Sequence, residues 1–299
     1  MSANRADSEV SRINAAAGTA PVAVSADTLR VIREALAFSR LGGGRFDLTV
    51  GPLVRLWGIG TDDARVPAAG EIAAALALVD WRTVAVSDAD STVFLARPGA
   101  AIDLGAIAKG YAADAAVAVL AANGVTTALV DLGGNIVTLG AKPDGSPWRI
   151  GLQDPDPSVP RGSHIGIIEF EGSRSVVTSG TYERYLVRDG ERYHHLLDTA
   201  TGAPVSNGLV AVTIVTSRFG GDAPEPGVIR VGRNILVPFN GAWVNVTVGA
   251  SLARDLERAF DAIQPDAYGV RPGNANTHSR PGQILQTSDA LRVALGHVD

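Results

Sequence analysis

The chain has 299 residues, with 26 Lys and Arg against 31 Asp and Glu, a net charge of −5, and no Cys. The charge argues against a general nucleic-acid binder, since no basic stripe offsets it, and the missing cysteine excludes thiol catalysis, a cysteine-based zinc site and disulfides. A hydrophobic content of 46% with 34 Gly and 16 Pro describes a globular, loop-rich chain, long enough to bury a full core as one large domain or two interlocked ones.

In chain order, Ala26 to Arg40 carries Leu29, Ile32, Leu36 and Ala37 at helical spacing, with Ser25 placed to cap it. Leu41 to Asp47 is a glycine-rich break, and Pro52 to Trp57 reads as a short helical segment. Ala68 to Leu78 is a second amphipathic helix, with Pro67 suited to its first turn. Val84–Val86 and Thr92–Leu95 are strand candidates around a turn. The apolar run Ala101-Ile-Asp-Leu-Gly-Ala-Ile-Ala-Lys109 reads as a strand giving way to a helix over Ala108–Ala122, stopped by Asn123-Gly124. Thr127–Val130 then reads as a buried strand. From there the pattern turns to β, at Trp148–Leu152, Ile165–Phe170, Ser175–Thr178, Arg192–Leu197 and Leu209–Thr216. Helices early and strands later predict an α+β fold with an antiparallel sheet and packed helices.

Some residues stand out chemically. A strand-to-helix junction offers free N–H groups and the positive end of a helix dipole, which suits phosphate. Asp103 and Lys109 sit near that junction with opposite charges; the plain alternative is a buried strand and a surface lysine. Gly44-Arg-Phe-Asp47 sets an aromatic and a carboxylate beside a turn, although Asp47 could equally cap that turn. Thr178-Ser-Gly-Thr-Tyr-Glu-Arg184 groups small hydroxyl residues about a glycine. Tyr193-His-His-Leu-Leu-Asp198 carries two of the five histidines. Either histidine could be a hydrogen-bonded structural residue.

In this order the segments resemble one family, the FAD:protein FMN transferases (the ApbE family, long labelled thiamine biosynthesis lipoproteins). The resemblance runs from about Ser8 to about Val215. It rests on Gly44-Arg-Phe-Asp-x-Thr, Asp103-Leu-Gly-Ala-Ile-Ala-Lys-Gly-Tyr, Asp131-Leu-Gly-Gly-Asn, Thr178-Ser-Gly-x-Tyr-x-Arg and Tyr193-His-His-x-x-Asp-x-x-Thr-Gly. It implies an ApbE-like, T-fold-related domain and a magnesium-dependent transfer. FAD is split at its pyrophosphate, FMN is joined through a phosphoester to a Thr or Ser hydroxyl of an acceptor protein, and AMP leaves. By the resemblance, Arg45, Phe46 and Asp47 contact the flavin nucleotide, Asp103, Lys109 and Leu196 are FAD-binding positions, and the backbone carbonyl of Ala106 is a Mg2+ ligand. His195 falls on the family's Tyr-x-His histidine, as the base or as the group orienting the acceptor hydroxyl. Asn4 stands where many members carry an aromatic that stacks on the flavin.

The C-terminal third departs from the family pattern. In register, Asp222 takes the place of a metal-binding aspartate, but Pro226 takes that of the threonine four residues on, and Pro224, Pro226 and Gly227 would not sustain a helix. Thr287–Leu295 resembles the absent helix, with Ser288 as cap and Asp289 in the metal position, although Val293 replaces the threonine. Asn240–Val248 and Ser251–Ile263 resemble the strand and helix that usually open the family's domain. The expected division is therefore 1–216 as the FAD-binding core and 217–299 as a divergent part. That part either supplies those opening elements (235–265) and the metal-site helix (287–296) or forms a tail that merely has strand–helix patterning. The weakened metal site leaves two further readings, an FAD pyrophosphatase and an FAD-binding protein without turnover.

The sequence has no unbroken apolar run of about 18 residues, so no membrane span is expected. Met1 to Ser8 is polar and lacks the apolar core of a signal peptide, which places the chain as written in the cytoplasm. The family usually works outside the cytoplasm, so a removed export segment is the alternative.

Overall fold

In the computed structural model, which describes residues 1–156 and 158–217 and, beyond them, the backbones of four strands, each of the first two helices starts at a serine. Ser8 caps α1 (Glu9–Ala15) by accepting from the Ser11 N–H at 3.0 Å, and Ser25 caps α2 (Ala26–Leu41) by accepting from Thr28 at 3.3 Å. Such a cap satisfies one otherwise orphaned N–H and is worth about 1 kcal/mol. The Glu9 carboxylate accepts from the Ser25 N–H, the Ser25 hydroxyl and the Thr28 hydroxyl, so α1 is tied to the start of α2. Between these helices lies β1 (Val22–Ala23).

Then come α3 (Gly51–Trp57) and α4 (Ala69–Leu76). Pro67 lies ahead of the cap position at Ala68 rather than in the first turn; Glu71 reaches back to accept from the Ala68 N–H at 2.8 Å and sets the start. β2 (Val84–Ser87) and β3 (Thr92–Leu95) form the expected hairpin, with β1 added on the far side of β3. The next helix, α5 (Gly105–Ala122), starts three residues earlier than its periodicity suggested, because Asp103 Oδ1 accepts from the Gly105 N–H at 2.7 Å. Lys109 is therefore in the second turn, not at the helix start. The residues before α5 do not form a regular strand. They make one parallel bridge, Val50 to Ala101, and the Asp103 N–H donates to Leu48 O at 2.8 Å.

The β-rich part follows as β4 (Ala128–Asp131), β5 (Asn135–Leu139), β6 (Trp148–Gln153), β7 (His164–Phe170) and β8 (Arg174–Gly180). After them come β9 (Tyr185–Arg188), β10 (Glu191–His194) and β11 (Leu209–Ser217). The strand expected to run to Leu197 stops at His194, where the chain turns away. Beyond lie β12 (Val228–Val231), β13 (Asn234–Phe239), β14 (Ala242–Val248) and β15 (Ile284–Leu285).

The chain divides into two compact units, Met1–Ala112 with Thr181–Val205, and Ala113–Gly180 with Ser206–Asp299. The first holds the three-stranded sheet, the β9–β10 hairpin and a core of Val10, Ile13, Val31, Ile32, Leu48, Val93, Leu95, Ile102 and Leu104. Each such side chain contributes about 1.5–3 kcal/mol on burial. The second is built on an eight-stranded sheet in the order β15-β12-β13-β14-β11-β8-β5-β4, every neighbouring pair antiparallel. Ala113 and Val117 of α5 pack there on Val137, with Val130, Leu132 and Leu139 beside them. The α+β class with an antiparallel sheet is thus as the sequence predicts.

The C-terminal elements expected from the sequence lie largely outside the described residues. Residues 242–248 do form a strand, paired antiparallel with β11 (Val212 opposite Val246), whereas Ser251–Ile263, Asp222 and the segment around Asp289 lie outside the described residues. One helix, α5, bears on the expectation of no span. It has 18 residues and a mean hydropathy of 1.3, long and apolar enough by length and composition to cross a bilayer. It carries Lys109 and Asp114, and its Ile107, Ala108 and Tyr111 pack on the first unit's core.

Candidate functional site

The first unit brings together the segments around Asp47, Asp103 and His195. Residues 101–103 run beside residues 48–51, held by the Asp103-to-Leu48 bond and by the Gly51 N–H donating to Ala101 O at 3.1 Å. The approach is close enough to require glycine at 51, where a Cβ would stand 2.6 Å from Ala101 O. From the other side, Asn14 of α1 grips the same segment. Its Nδ2 donates to Ile102 O at 3.0 Å and its Oδ1 accepts from the Ile102 N–H at 2.8 Å. Sequence reasoning missed Asn14, because its partner Ile102 lies 88 positions away and no local feature marks it. An Asn14→Ala variant strands both buried backbone groups and is expected to lose about 2–4 kcal/mol, read as a lower thermal midpoint.

Asp47 is buried at 7% exposure and braces its own loop. Oδ1 accepts from the Thr49 N–H at 2.8 Å and the Thr49 hydroxyl at 2.6 Å, and Oδ2 accepts from the Trp81 N–H at 3.0 Å. This is the turn-holding alternative for Asp47. Both oxygens are engaged inside the protein, which leaves the loop backbone, the exposed Arg45 and the half-buried Phe46 as the groups that can face a ligand. Phe46 packs edge-on against Phe38 at 6.4 Å. Gly43 and Gly44, at φ of 59° and 84°, make the turn that carries these residues.

Asp103 is half-buried at the N-terminal end of α5, Ala106 is exposed in its first turn, and Lys109 is exposed one turn on. A ligand lying over this helix start would meet the dipole's positive end and an ammonium together. Leu196 follows His195 on the loop after β10, half-buried, with its carbonyl accepting from the Val205 N–H at 2.9 Å. Asn4, exposed in the turn ahead of α1, donates its N–H to Ser2 Oγ at 3.2 Å.

The state of His195 follows from its neighbours. The Arg184 carbonyl accepts from the His195 N–H at 3.1 Å and lies 3.1 Å from its Nδ1. A carbonyl can only accept, so Nδ1 carries the hydrogen and Nε2 keeps its lone pair. Burial holds the imidazole below the usual histidine value, helped by the positive charges of Arg184 and Lys109 and by His194, and opposed by the Arg184 bond. His195 is therefore neutral near pH 7 with Nε2 able to take a proton. The sequence showed Arg184 only as the last residue of the Thr178–Arg184 segment; its backbone carbonyl is what matters here. Thr199 Oγ1 donates to Gly44 O at 2.7 Å and joins the histidine loop to the Asp47 loop.

The second unit holds the Asp131–Asn135 segment and the first three residues of the Thr178–Arg184 segment, the rest of which belongs to the first unit. Leu132, Gly133 and Gly134 turn between β4 and β5, with the Gly134 N–H donating to Asp131 Oδ1 at 3.1 Å and the Thr178 N–H to Gly134 O at 3.0 Å. Asn135 is buried, and its Nδ2 lacks a hydrogen-bond partner.

Among the described residues no group of three or more His, Cys, Asp and Glu is gathered to hold a metal ion. Asp222 and Asp289 lie outside the described residues. The carbonyl of Ala106 belongs to a helical turn, where its direction of approach is already set by the helix. For an ion that prefers six oxygen ligands, what the described residues offer is incomplete.

A model of the ApbE family matches residues 1–229. The chain is 44% identical over 217 residues to an FAD:protein FMN transferase of Klebsiella pneumoniae (strain 342), covering 73% of this chain and 66% of that protein. It is 41% identical over 231 residues to an FAD:protein FMN transferase of Treponema pallidum (strain Nichols), covering 73% and 63%. The chain thus spans slightly under two thirds of the length of these relatives. Among solved structures, the ApbE protein of Thermotoga maritima superposes with a TM-score of 0.66 at 39% identity, covering 72% of this chain and 68% of that one. The flavin transferase ApbE from Vibrio cholerae does so with 0.64 at 31% identity, covering 84% of each. On this match, over most of its length, the chain belongs to the ApbE family.

Proposed function

We propose that this protein is an FAD:protein FMN transferase. The observation that carries the reading is His195, fixed by the Arg184 carbonyl as the Nδ1–H tautomer with Nε2 open and its proton affinity lowered by burial. In the proposed reaction an acceptor Thr or Ser hydroxyl oxygen bonds to the phosphorus of the FMN half of FAD. The bond from that phosphorus to the bridging oxygen breaks, AMP leaves with that oxygen, and the hydroxyl proton passes to His195 Nε2. Asp103, Lys109, Arg45, Phe46 and Leu196 would hold the dinucleotide, with Asp47 keeping the Arg45–Phe46 loop in shape. Lys109 and the start of α5 would hold phosphate oxygens and leave the leaving group in line. Magnesium, if held at the Ala106 carbonyl, would supply charge neutralisation on the pyrophosphate.

Support comes from the family membership, from the names of the relatives, and from the gathering of these residues in one unit. The test is to incubate purified protein with FAD, magnesium and a peptide bearing a threonine, and to follow AMP by chromatography and the peptide by mass. AMP is expected to rise in step with a peptide mass gain of one FMN. Absence of AMP overturns the reading, and AMP without a mass gain reduces it to hydrolysis. Adding EDTA is expected to stop AMP release and excess magnesium to restore it; release that continues in EDTA removes the metal from the proposal.

A further inference from the structure

Two adjacent histidines, His194 as the last residue of β10 and His195 just beyond it, hold opposite tautomers. His194 has no part in the reaction written above, yet it is the more deeply buried, at 7% exposure. Its Nε2 lies 2.9 Å from Val205 O, and since a carbonyl only accepts, Nε2 carries the hydrogen. The Leu196 N–H donates to Nδ1 at 3.3 Å, so Nδ1 keeps its lone pair. One ring thus grips both ends of the loop that presents His195 and Leu196, and the Val205 N–H closes the loop on Leu196 O. The middle of the loop is held independently. Asp198 accepts from Gly202, Asp198 donates to Ala203 O, and Trp57 Nε1 donates to Gly202 O at 2.8 Å.

We propose that His194 is a positioning residue for the transfer reaction, a neutral Nε2–H clamp that sets the His195–Leu196 turn by joining the Leu196 N–H to the Val205 carbonyl. The inference rests on the reading of this site as the place where FAD is held and split. It does not follow from the role given to His195, which acts through its own ring.

The clamp has a chemical limit. A protonated His194 carries hydrogen on both nitrogens, so Nδ1–H faces the Leu196 N–H and the two donors repel. The turn must then move. Among the described residues, the titratable and charged groups that face the ring are Arg192 on its own strand, Tyr185 opposite it in the hairpin register, and His195 next to it on the loop. Burial first, then the Arg192 charge, holds His194 below the usual histidine value, against the pull of the Val205 bond. The clamp is intact at neutral pH and is lost as the pH falls through that lowered value.

The first arm of the test needs no flavin. Long-range proton–nitrogen NMR on the protein without FAD is expected to show His194 as the Nε2–H tautomer and His195 as Nδ1–H. The Leu196 amide resonance should follow the titration of His194. A His194 found as Nδ1–H, or a Leu196 amide indifferent to it, overturns the clamp whether or not the protein turns over FAD. The second arm uses two variants that cannot titrate. Asn places an amide oxygen near the Nδ1 position, whereas Gln places an amide nitrogen near Nε2. H194Q, which loses the Leu196 acceptor, is expected to raise the KM for FAD about tenfold with a smaller change in kcat. H194N should recover most of that loss and should lack the wild type's fall in FAD retention at acid pH. Equal losses in both variants, in proportion to lost thermal stability, would make His194 an ordinary core residue and overturn the proposal. If the wild type retains no FAD, the proposed function fails while the NMR arm still decides the clamp.

Discussion

A His195→Ala variant is expected to release AMP about 10²–10⁴-fold more slowly than the wild type while binding FAD almost as well. The size follows from what the ring is placed to do. Its Nδ1–H is committed to the Arg184 carbonyl, so the other nitrogen is the one free to take the acceptor proton. Alanine removes that base without touching the start of α5 or the Asp47 loop. Parallel measurements of AMP release and of FAD affinity by flavin fluorescence check the split. Release at the wild-type rate would leave His195 as a loop-holding residue. The pH profile gives a second reading. Because burial pushes this histidine down, its acid limb is expected below the ordinary histidine value of about 6.5, with activity lost as pH falls and the base becomes protonated. Histidines with lowered values also make the fold resist protonation. Their contribution to stability is complete above the unfolded value and declines as pH drops through the folded one.

Elements governed by local chemistry could be read from the sequence. The Ser25 cap, the periodicity of α2, the β2–β3 hairpin and the Asn123-Gly124 stop all act within a few residues, and the structure has each in place. α1 was not read as a helix, since seven residues give barely two turns of pattern. The early start of α5 depends on a single bond from Asp103 to Gly105, which an apolar run conceals. The end of β10 at His194 is set from a distance, by Arg184 and Val205, and no local residue signals it. The candidate site divides in the same way. The segments around Asp47, Asp103 and His195 stood out as sequence, but the links between them did not. Asn14 to Ile102 spans 88 positions and Thr199 to Gly44 spans 155. Side-chain direction was equally hidden. Asp47 looks like a ligand contact beside Arg45 and Phe46, but both its oxygens turn inward to Thr49 and Trp81. That makes Asp47 the group that shapes the loop, and it moves the burden of recognition onto its two neighbours.

Replacing Lys109 by alanine is expected to weaken FAD binding by about 10–100-fold, the loss of one charge-assisted contact to phosphate, with little change in thermal stability. The side chain is exposed on α5, so truncating it opens no cavity and removes no core packing. The helix dipole and Asp103 remain. The same substitution should act on His195 in a way that a merely distant surface lysine could not. The Lys109 charge is the smallest of the influences holding the imidazole down, so its removal should let the histidine's pKa rise slightly and move the acid limb of AMP release to higher pH. Lys109→Arg keeps the charge and should leave that limb where it is, even if its broader head fits the phosphate less well. Loss of FAD together with a shifted limb in the alanine variant, and an unshifted limb in the arginine variant, would place Lys109 and His195 in one electrostatic site. Lost affinity with an unmoved limb would separate them, and the base would then owe its low proton affinity to burial, Arg184 and His194 without Lys109.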